Sequence, residues 1–255
     1  MNAKRRKFYR RTIVVAIVVC VVALIVGFAV KSLFRPSDWV LDAVSSFYPG
    51  AVFRVDTEEL AIALTIDDAP DPDVTPGILR ELREHEVRAT FFIIGANAEK
   101  YPELVEAIRE DGHELANHLF TDRMSAGLSD EEFVEELLRT DALIRPAGPP
   151  KWCRPGSAVI TPRIIRIMNE SGYTPVVGTA YPVDLYTGVG LTVAQFMDNV
   201  RPGAILVLHD GGASRQDNVE VIADLLPRLK EMGYRIATMT ELSRLGKPIA
   251  ELLDQ

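Results

Sequence analysis

Apolar and polar positions follow two periods along the chain, and these predict strands and helices in turn. Short apolar runs of strand length occur at 60–66, 88–95, 173–178, 204–210 and 234–238. Between them, apolar residues recur at helical spacing over 74–86, 97–112, 129–145, 161–172, 191–200, 217–233 and 239–246. Such alternation is typical of parallel strands with helices packed outside them, so the pattern predicts an α/β fold.

Three of these helices carry signals that locate or bend them. Ser129 with Glu132 has the spacing of a capping box, which predicts a helix start. Thr161 and Gly172 have the residue types of an N-cap and a C-terminal stop. Pro227 falls inside a helical pattern, where it is expected to bend the helix.

The N-terminal region has a different pattern. Residues 13–30 contain no charge, and as a helix they would span about 27 Å, close to the thickness of a bilayer's hydrocarbon core. Six cations and no acid occur in residues 1–12, so the positive-inside rule predicts a cytoplasmic tail and an extracytoplasmic body. A cleaved signal peptide is the alternative, although no clear cleavage pattern follows Val30. Residues 31–56 are interpreted as a tether with a short amphipathic piece around Trp39 to Phe47, in which Trp39 has either an interfacial or a packing role.

Charge narrows the range of partners. The formal net charge is −8, and the six cations of the first twelve residues contribute +6, so the remainder carries −14. An acidic body disfavours nucleic acid and other polyanions as partners. Cys20 and Cys153 lie far apart without a metal-binding spacing, so no internal disulfide or zinc finger is expected.

Chemically versatile side chains follow the strand-like runs, where active sites of α/β folds assemble. They are Asp67, Asp68, His118, Asp122, Arg154, Asp184, His209 and Asp210. Adjacent aspartates point to different sides, so one can hold a cation while the other accepts a proton. On a helix, His118 and Asp122 would share a face as positions i and i+4.

Each of these positions has an ordinary structural explanation as well. Asp67 and Asp68 could cap the turn after a buried strand. His118 and His209 could be packed histidines without chemistry. Arg154 could form a surface ion pair, whereas beside a carboxylate base it would orient that base and lower its pKa.

The order of these motifs resembles that of the polysaccharide deacetylase (NodB-homology) family of carbohydrate esterases. The similar segments are TIDDAP (65–70), HLFTD (118–122), RPG (154–156), YPVD (181–184) and LVLH (206–209). The resemblance spans about residues 59–245 and implies a distorted (β/α) barrel as the catalytic domain, which we place at residues 57–255. It also implies removal of acetyl groups from N-acetylated sugars, such as those of peptidoglycan or a chitin-like polymer.

The resemblance further implies a role for each matching residue. Asp67 would be the general base, Arg154 would orient it, His209 would be the general acid, and Asp184 would tune His209. One divalent metal is expected, Zn²⁺ or alternatively Co²⁺ or Mn²⁺. The implied metal ligands are Asp68, His118 and Asp122, and the implied substrate contacts are Leu206, Ser157 and Leu185.

This sequence departs from the family pattern at three positions. Asp122 stands where the family has a second histidine, which predicts an altered metal preference, shifted towards harder cations. Ala69 replaces a glycine, and Leu185 replaces a tryptophan of the fourth motif. Two other functions therefore stay open: a non-catalytic glycan-binding protein on the same fold, and a hydrolase of a non-sugar amide.

Overall fold

The computed structural model describes residues 37–181, 188–211 and 216–246. The predicted anchor at 13–30 and the basic tail lie outside these residues, as do Asp184 and Leu185. None of the helices within these ranges has the length and apolar content that are needed to cross a membrane.

Strands and helices alternate through the body, as the pattern predicts. The strands are β1 Ala61–Ala69, β2 Thr90–Ile93, β3 Glu114–Asn117, β4 Lys151–Cys153, β5 Tyr173–Pro175, β6 Ile205–His209 and β7 Arg235–Ala237. The helices are α1 Asp38–Ser46, α2 Thr75–Glu84, α3 Gly95–Lys100, α4 Pro102–Glu110, α5 Asp130–Ile144, α6 Pro162–Glu170, α7 Val189–Asn199, α8 Asp217–Glu231 and α9 Met239–Ser243.

The strands form one parallel sheet in the order β5-β4-β3-β2-β1-β6, with β7 paired to the start of β1. The sheet curves into a distorted, incomplete barrel, so the predicted barrel class is confirmed in this form. Side chains from alternate positions of β1 belong to two apolar layers, one on each side of the sheet. Ile62, Leu64 and Ile66 pack under the helices, whereas Ala61 and Ala63 face the barrel interior.

Two segments close the gap between β5 and β6: residues 179–180, where Ala180 bridges to Leu206, and the segment that precedes β1. Val52 pairs with Val176, and the Val55 N–H donates to the Gly203 carbonyl at 2.9 Å. The Thr179 hydroxyl donates to the Phe53 carbonyl at 2.8 Å. The residues predicted to be a tether thus include α1 and a segment, which we call the seam (residues 52–55), that is hydrogen-bonded into the barrel.

Several element boundaries differ from the prediction for identifiable reasons. The single helix predicted over 97–112 is two helices, because Tyr101 leaves the helical conformation and Pro102 begins α4. The capping box of α5 and the Thr161 N-cap of α6 are both present. Helix α8 runs through Pro227. The pattern did not predict the short strands β3 and β4, which lie directly before His118 and Arg154.

Candidate active site

An ion pair between Asp67 and Arg154 lies at the carboxyl ends of β1 and β4. Asp67 continues the inward-facing alternation of β1, and its Oδ1 accepts a hydrogen bond from Arg154 Nη1. Asp67 is 3% exposed and Arg154 is fully buried. The register of β1 with β2 shifts between Ile66 and Ala69, and such irregularities redirect side chains beside functional sites.

Further contacts fix the Arg154 guanidinium in one position. Its Nε donates to the Val177 carbonyl at 3.0 Å, and its Nη1 donates to the Thr65 hydroxyl at 3.1 Å. The guanidinium carbon lies 4.1 Å from the centre of the Phe92 ring. Because a planar guanidinium presents its donors in a rigid fork, these contacts hold its Nη1 edge toward Asp67 while its face lies on Phe92.

Asp68 serves a different partner from Asp67. Its backbone has φ 68°, a left-handed conformation that aspartate adopts more readily than most residues. The Asn97 side-chain amide donates to the Asp68 carbonyl at 3.0 Å and holds the chain there. Asp68 Oδ1 lies 3.3 Å from Nε2 of His118. Neighbouring carboxylates therefore face Arg154 and His118 respectively.

His118 follows β3 and is oriented by a backbone carbonyl. Its Nδ1 lies 2.7 Å from the carbonyl oxygen of Arg154, and since that oxygen can only accept, Nδ1 carries the proton. In the neutral ring, the Nε2 lone pair then faces Asp68, and a proton or a cation is needed between the two. Burial lowers the pKa of His118, but the charges of Asp67 and Asp68 and the Asp68 hydrogen bond outweigh it and raise the pKa overall.

These two side chains fit a divalent metal by their donor types. A carboxylate oxygen and an imidazole nitrogen are common ligands of zinc and of related cations. The second nitrogen of metal-binding histidines is almost always held by a carbonyl or a carboxylate, as it is at His118.

Asp122 does not have the helical relation to His118 that the sequence spacing suggested. Residues 118–124 form an irregular loop in which Leu119 has φ 64° and its N–H donates to Asn117 Oδ1 at 2.8 Å. Asp122 is exposed on this loop. Within residues 37–181, 188–211 and 216–246, no group of three or more histidine, cysteine or acidic side chains is close enough to hold a metal. The structure therefore brings together two of the three predicted ligands.

The buried carboxylate of Glu136 anchors this loop on both sides of Asp122. Glu136 accepts from the Thr121 N–H at 3.0 Å, from the Thr121 hydroxyl at 2.8 Å and from Arg123 Nη2 at 2.6 Å. We did not predict a role for Glu136 from the sequence. Its position in the helix could have indicated one, because this acid occurs in the apolar repeat of α5 with Phe133, Leu137 and Thr140, all of which are buried.

His209 ends β6 and is the register partner of Asp67 in the neighbouring parallel strand. It is half-buried. Strands in a sheet lie about 4.8 Å apart, so the carboxylate and the imidazole emerge side by side at one edge. The predicted base and the predicted acid are thus neighbours at the carboxyl ends of the strands.

Leu206 does not lie on the same side of β6 as His209. It is fully buried in the layer between sheet and helices, whereas strand alternation places Val207 on the His209 side. Consistent with this, Val207 lies beside Gly178, close to the Tyr181 hydroxyl. Val207, which is also fully buried, is therefore the residue of this strand whose side chain lies on the same side of the sheet as His209.

Ser157 is exposed in the short turn Gly156–Ala158, where it has φ 60°. A side chain at Gly156 would come within 2.4 Å of the Arg123 carbonyl oxygen. Glycine there lets the loop after Arg154 pack against the loop that carries Asp122. The two loops that flank the candidate metal position are therefore in direct contact.

Comparison with known proteins places this arrangement in a family. The sequence model for polysaccharide deacetylase matches residues 54–176. A peptidoglycan-N-acetylglucosamine deacetylase of Bacillus cereus is 35% identical over 196 residues, which cover 75% of this chain and 92% of that protein. A chitooligosaccharide deacetylase of Bradyrhizobium is 32% identical, with 71% of this chain and 90% of that protein covered.

The chain belongs to the polysaccharide deacetylase family. The family model covers the segments that carry Asp67, Asp68, His118, Asp122 and Arg154, and together with the relatives it confirms the resemblance.

Solved structures agree with this assignment. A crystal structure of a peptidoglycan N-acetylglucosamine deacetylase has a TM-score of 0.73 at 28% identity and covers 80% of this chain and 96% of that chain. An acetyl xylan esterase of Clostridium thermocellum in complex with cobalt has a TM-score of 0.67 at 29% identity and covers 72% and 91%. A family 4 pseudoenzyme from Bacillus anthracis has a TM-score of 0.69 at 25% identity and covers 78% and 70%.

Proposed function

We propose that this polysaccharide deacetylase hydrolyses the acetamide of N-acetylated sugars in a glycan such as peptidoglycan or a chitin-like polymer. The observation that carries the proposal is the placement of Asp67, paired with Arg154, beside His209 at the edge where Asp68 and His118 also meet. The names of the related enzymes supply the substrate class.

The chain's own residues divide the reaction between them. Asp67 accepts a proton from the attacking water, whose oxygen bonds to the acetyl carbon. Arg154 holds the carboxylate in the orientation that this transfer needs. His209 protonates the sugar nitrogen as the carbon–nitrogen bond breaks, which leaves acetate and a free amine.

A divalent metal completes the proposed site. Asp68 and His118 would hold it with Asp122, provided that the loop at 119–124 brings the Asp122 carboxylate to the other two. When bound, the metal supplies a Lewis acid that makes water a nucleophile near neutral pH. Zinc is the metal we propose first, with cobalt or manganese as alternatives, since a carboxylate in place of a histidine favours harder cations.

Acetate release tests the proposed reaction. The full-length chain is expected to release acetate from N-acetylglucosamine oligomers or from purified peptidoglycan. Asp67→Asn should lower the rate by about 100- to 10,000-fold, the usual contribution of a general base. Asp73→Asn, the same change at an exposed position of the following turn, should leave the rate unchanged.

Elemental analysis tests the metal ligands. About one equivalent of metal is expected in the parent, and much less in His118→Ala and Asp122→Ala. Full metal content in Asp122→Ala would remove Asp122 from the ligand set. Asp122→His is expected to shift preference toward zinc over manganese.

A non-catalytic glycan-binding role is the second candidate. Two observations favour it: the substitution at Asp122, and a pseudoenzyme among the structural neighbours. This role predicts a protein that still binds glycan but neither releases acetate nor binds metal. That result, obtained even after reconstitution with zinc, cobalt and manganese, would support it over catalysis.

We also propose that residues 13–30 anchor the protein with its body outside the cytoplasm. The uncharged stretch and the preceding cations support this location. Full-length protein should stay in the membrane fraction after alkaline extraction. A protease added to intact spheroplasts should degrade the body, and resistance until the cells are opened would contradict the orientation.

A further inference from the structure

Helix α1 presents a row of apolar side chains to solvent. Trp39, Ala43 and Phe47 follow one another at spacings of four residues, so they lie along one side of the helix. Phe47 keeps a helical backbone as the C-cap. Trp39 is 63% exposed and Phe47 is 75% exposed. We call these three residues the α1 stripe.

The opposite side of α1 holds the helix on the body. Leu41 is buried, Arg54 Nη2 donates to Asp42 at 2.9 Å, and Arg201 pairs with Asp38 at 3.0 Å. These contacts turn the stripe outward in a fixed orientation. Exposed apolar residues grouped in this way mark an interaction surface more often than scattered ones do.

The sequence before α1 identifies the partner that lies within reach. Seven residues separate Val30 from Asp38, and fully extended they would span at most about 25 Å. If residues 13–30 cross a bilayer, the stripe is therefore always close to the membrane surface. Tryptophan and phenylalanine are typical of helices that lie in the headgroup region, where their rings contact both polar and apolar parts of the lipid.

We propose that the α1 stripe lies in the lipid headgroup region of the bilayer in which residues 13–30 are anchored. This inference rests on the anchor proposed above. It implies that the body contacts the membrane directly through α1 instead of being attached only by a tether. Helix α1 is attached near Arg201, which precedes β6, whereas His209 ends that strand. The docked surface and the candidate active site thus connect to opposite ends of β6.

The chain's two tryptophans allow a direct test. Trp152 is 2% exposed, so the difference in fluorescence between the parent and Trp39→Phe reports on Trp39 alone. The full-length protein is reconstituted into vesicles of phosphatidylglycerol and phosphatidylcholine, with the phosphatidylcholine brominated or not. Bromine is expected to quench roughly half of the Trp39 emission, because an interfacial helix buries its apolar face several ångströms into the lipid.

Charged substitutions test whether the stripe itself makes the contact. Ala43→Asp and Phe47→Asp should abolish most of the quenching, whereas Leu138→Asp, at an exposed apolar position on α5, should not. Acetate release from soluble oligosaccharides should be equal in all of these variants, so the docking and the catalytic proposals fail separately.

Three results would overturn the docking proposal. One is an unquenched Trp39 in protein that floats with the vesicles and resists alkaline extraction. Another is crosslinking between copies at position 39, which would assign the stripe to self-association. Protein that does not float at all would refute both the anchor and the docking, while leaving the acetate-release assay intact.

Discussion

His113 and His118 lie at the two ends of β3, and both are buried. Nδ1 of His113 accepts a hydrogen bond from the Ala89 N–H at 3.2 Å, whereas Nδ1 of His118 donates to the Arg154 carbonyl. Two histidines with similar burial are thus held as opposite tautomers, because one nitrogen meets a donor and the other meets an acceptor.

Their pKa values also move in opposite directions. Burial, assisted by the nearby arginines 83 and 88, lowers the pKa of His113 to about 4 despite the Asp111 charge. The same burial acts on His118, but Asp67 and Asp68 raise its pKa. Neighbouring carboxylates, rather than depth in the protein, therefore decide which histidine attracts a positive charge.

The rest of the sheet shows the same contrast between its ends. At the amino ends, Glu114 accepts hydrogen bonds from Trp152, Thr90 and Thr240, which makes a closed network within the body. At the carboxyl ends, Asp68 and His118 face each other with acceptor atoms. The amino ends hold the barrel together, and the carboxyl ends carry the side chains of the proposed metal and substrate site.

Matched substitutions at the two histidines should separate these roles most strongly. His118→Ala is expected to lower kcat/KM by at least about 1,000-fold, since it removes a proposed metal ligand. His113→Gln should leave kcat/KM within about threefold, because its amide oxygen can still accept from Ala89. Equal losses in both variants would contradict the comparison.

The free energy of unfolding should decrease at acid pH because of His113. Its pKa is 6.5 in the unfolded chain and about 4 when folded, so the unfolded state binds more protons between these values. Stability from this group is present above pH 6.5 and is lost as pH falls through that window, by about 2 kcal/mol between pH 7 and pH 5. Urea unfolding at both pH values measures it. The loss attributable to this group should be absent in His113→Gln, and an undiminished loss there would assign the acid sensitivity elsewhere.

Arg154→Lys tests the fixed geometry around Asp67. An ammonium group cannot keep the hydrogen bonds to Asp67, Thr65 and the Val177 carbonyl together, so kcat/KM should fall by roughly 10- to 100-fold. The loss should appear in kcat more than in KM, because Arg154 orients the proposed base and is itself fully buried. Arg139→Lys at an exposed ion pair is the control. An unchanged kcat would mean that Arg154 serves only packing.

Glu136→Gln should give the smallest effect. It preserves the size of the side chain while weakening its hold on Thr121 and Arg123, so metal affinity should fall by about 10-fold. Glu135→Gln, exposed on the same helix, should leave the affinity unchanged. Loss of unfolding stability with unchanged metal affinity would show that Glu136 stabilises the loop without positioning Asp122.

The sequence predicted that the side chains of the site meet at one edge, because parallel strands end together and active sites assemble there. The hydrophobic pattern predicted β1 and β6, but neither β3 nor β4 nor the order of the strands. The pairing of Asp67 with Arg154 and the meeting of Asp68 with His118 were implied by the family resemblance. The motif gave the position of Leu206 in the chain but not the side of the sheet on which its side chain lies. Strand alternation places that side chain under the helices, so the predicted contact between Leu206 and the substrate was wrong.

Loop geometry could not be predicted in the same way. The loop from His118 to Asp122 depends on a left-handed Leu119, on Asn117 and on Glu136, which lies 14 residues further along the chain than Asp122. No helical or strand periodicity in the sequence predicts such contacts. The seam at residues 52–55 was missed for the same reason, as its partners lie more than 100 residues later.

The seam also sets an order of events during synthesis. Val55 bonds to Gly203, which is made 148 residues later, and at typical elongation rates this interval is roughly 7 to 30 s. The barrel cannot close until then. The seam is made before every strand of the sheet, and it is therefore among the last segments to complete its hydrogen bonds.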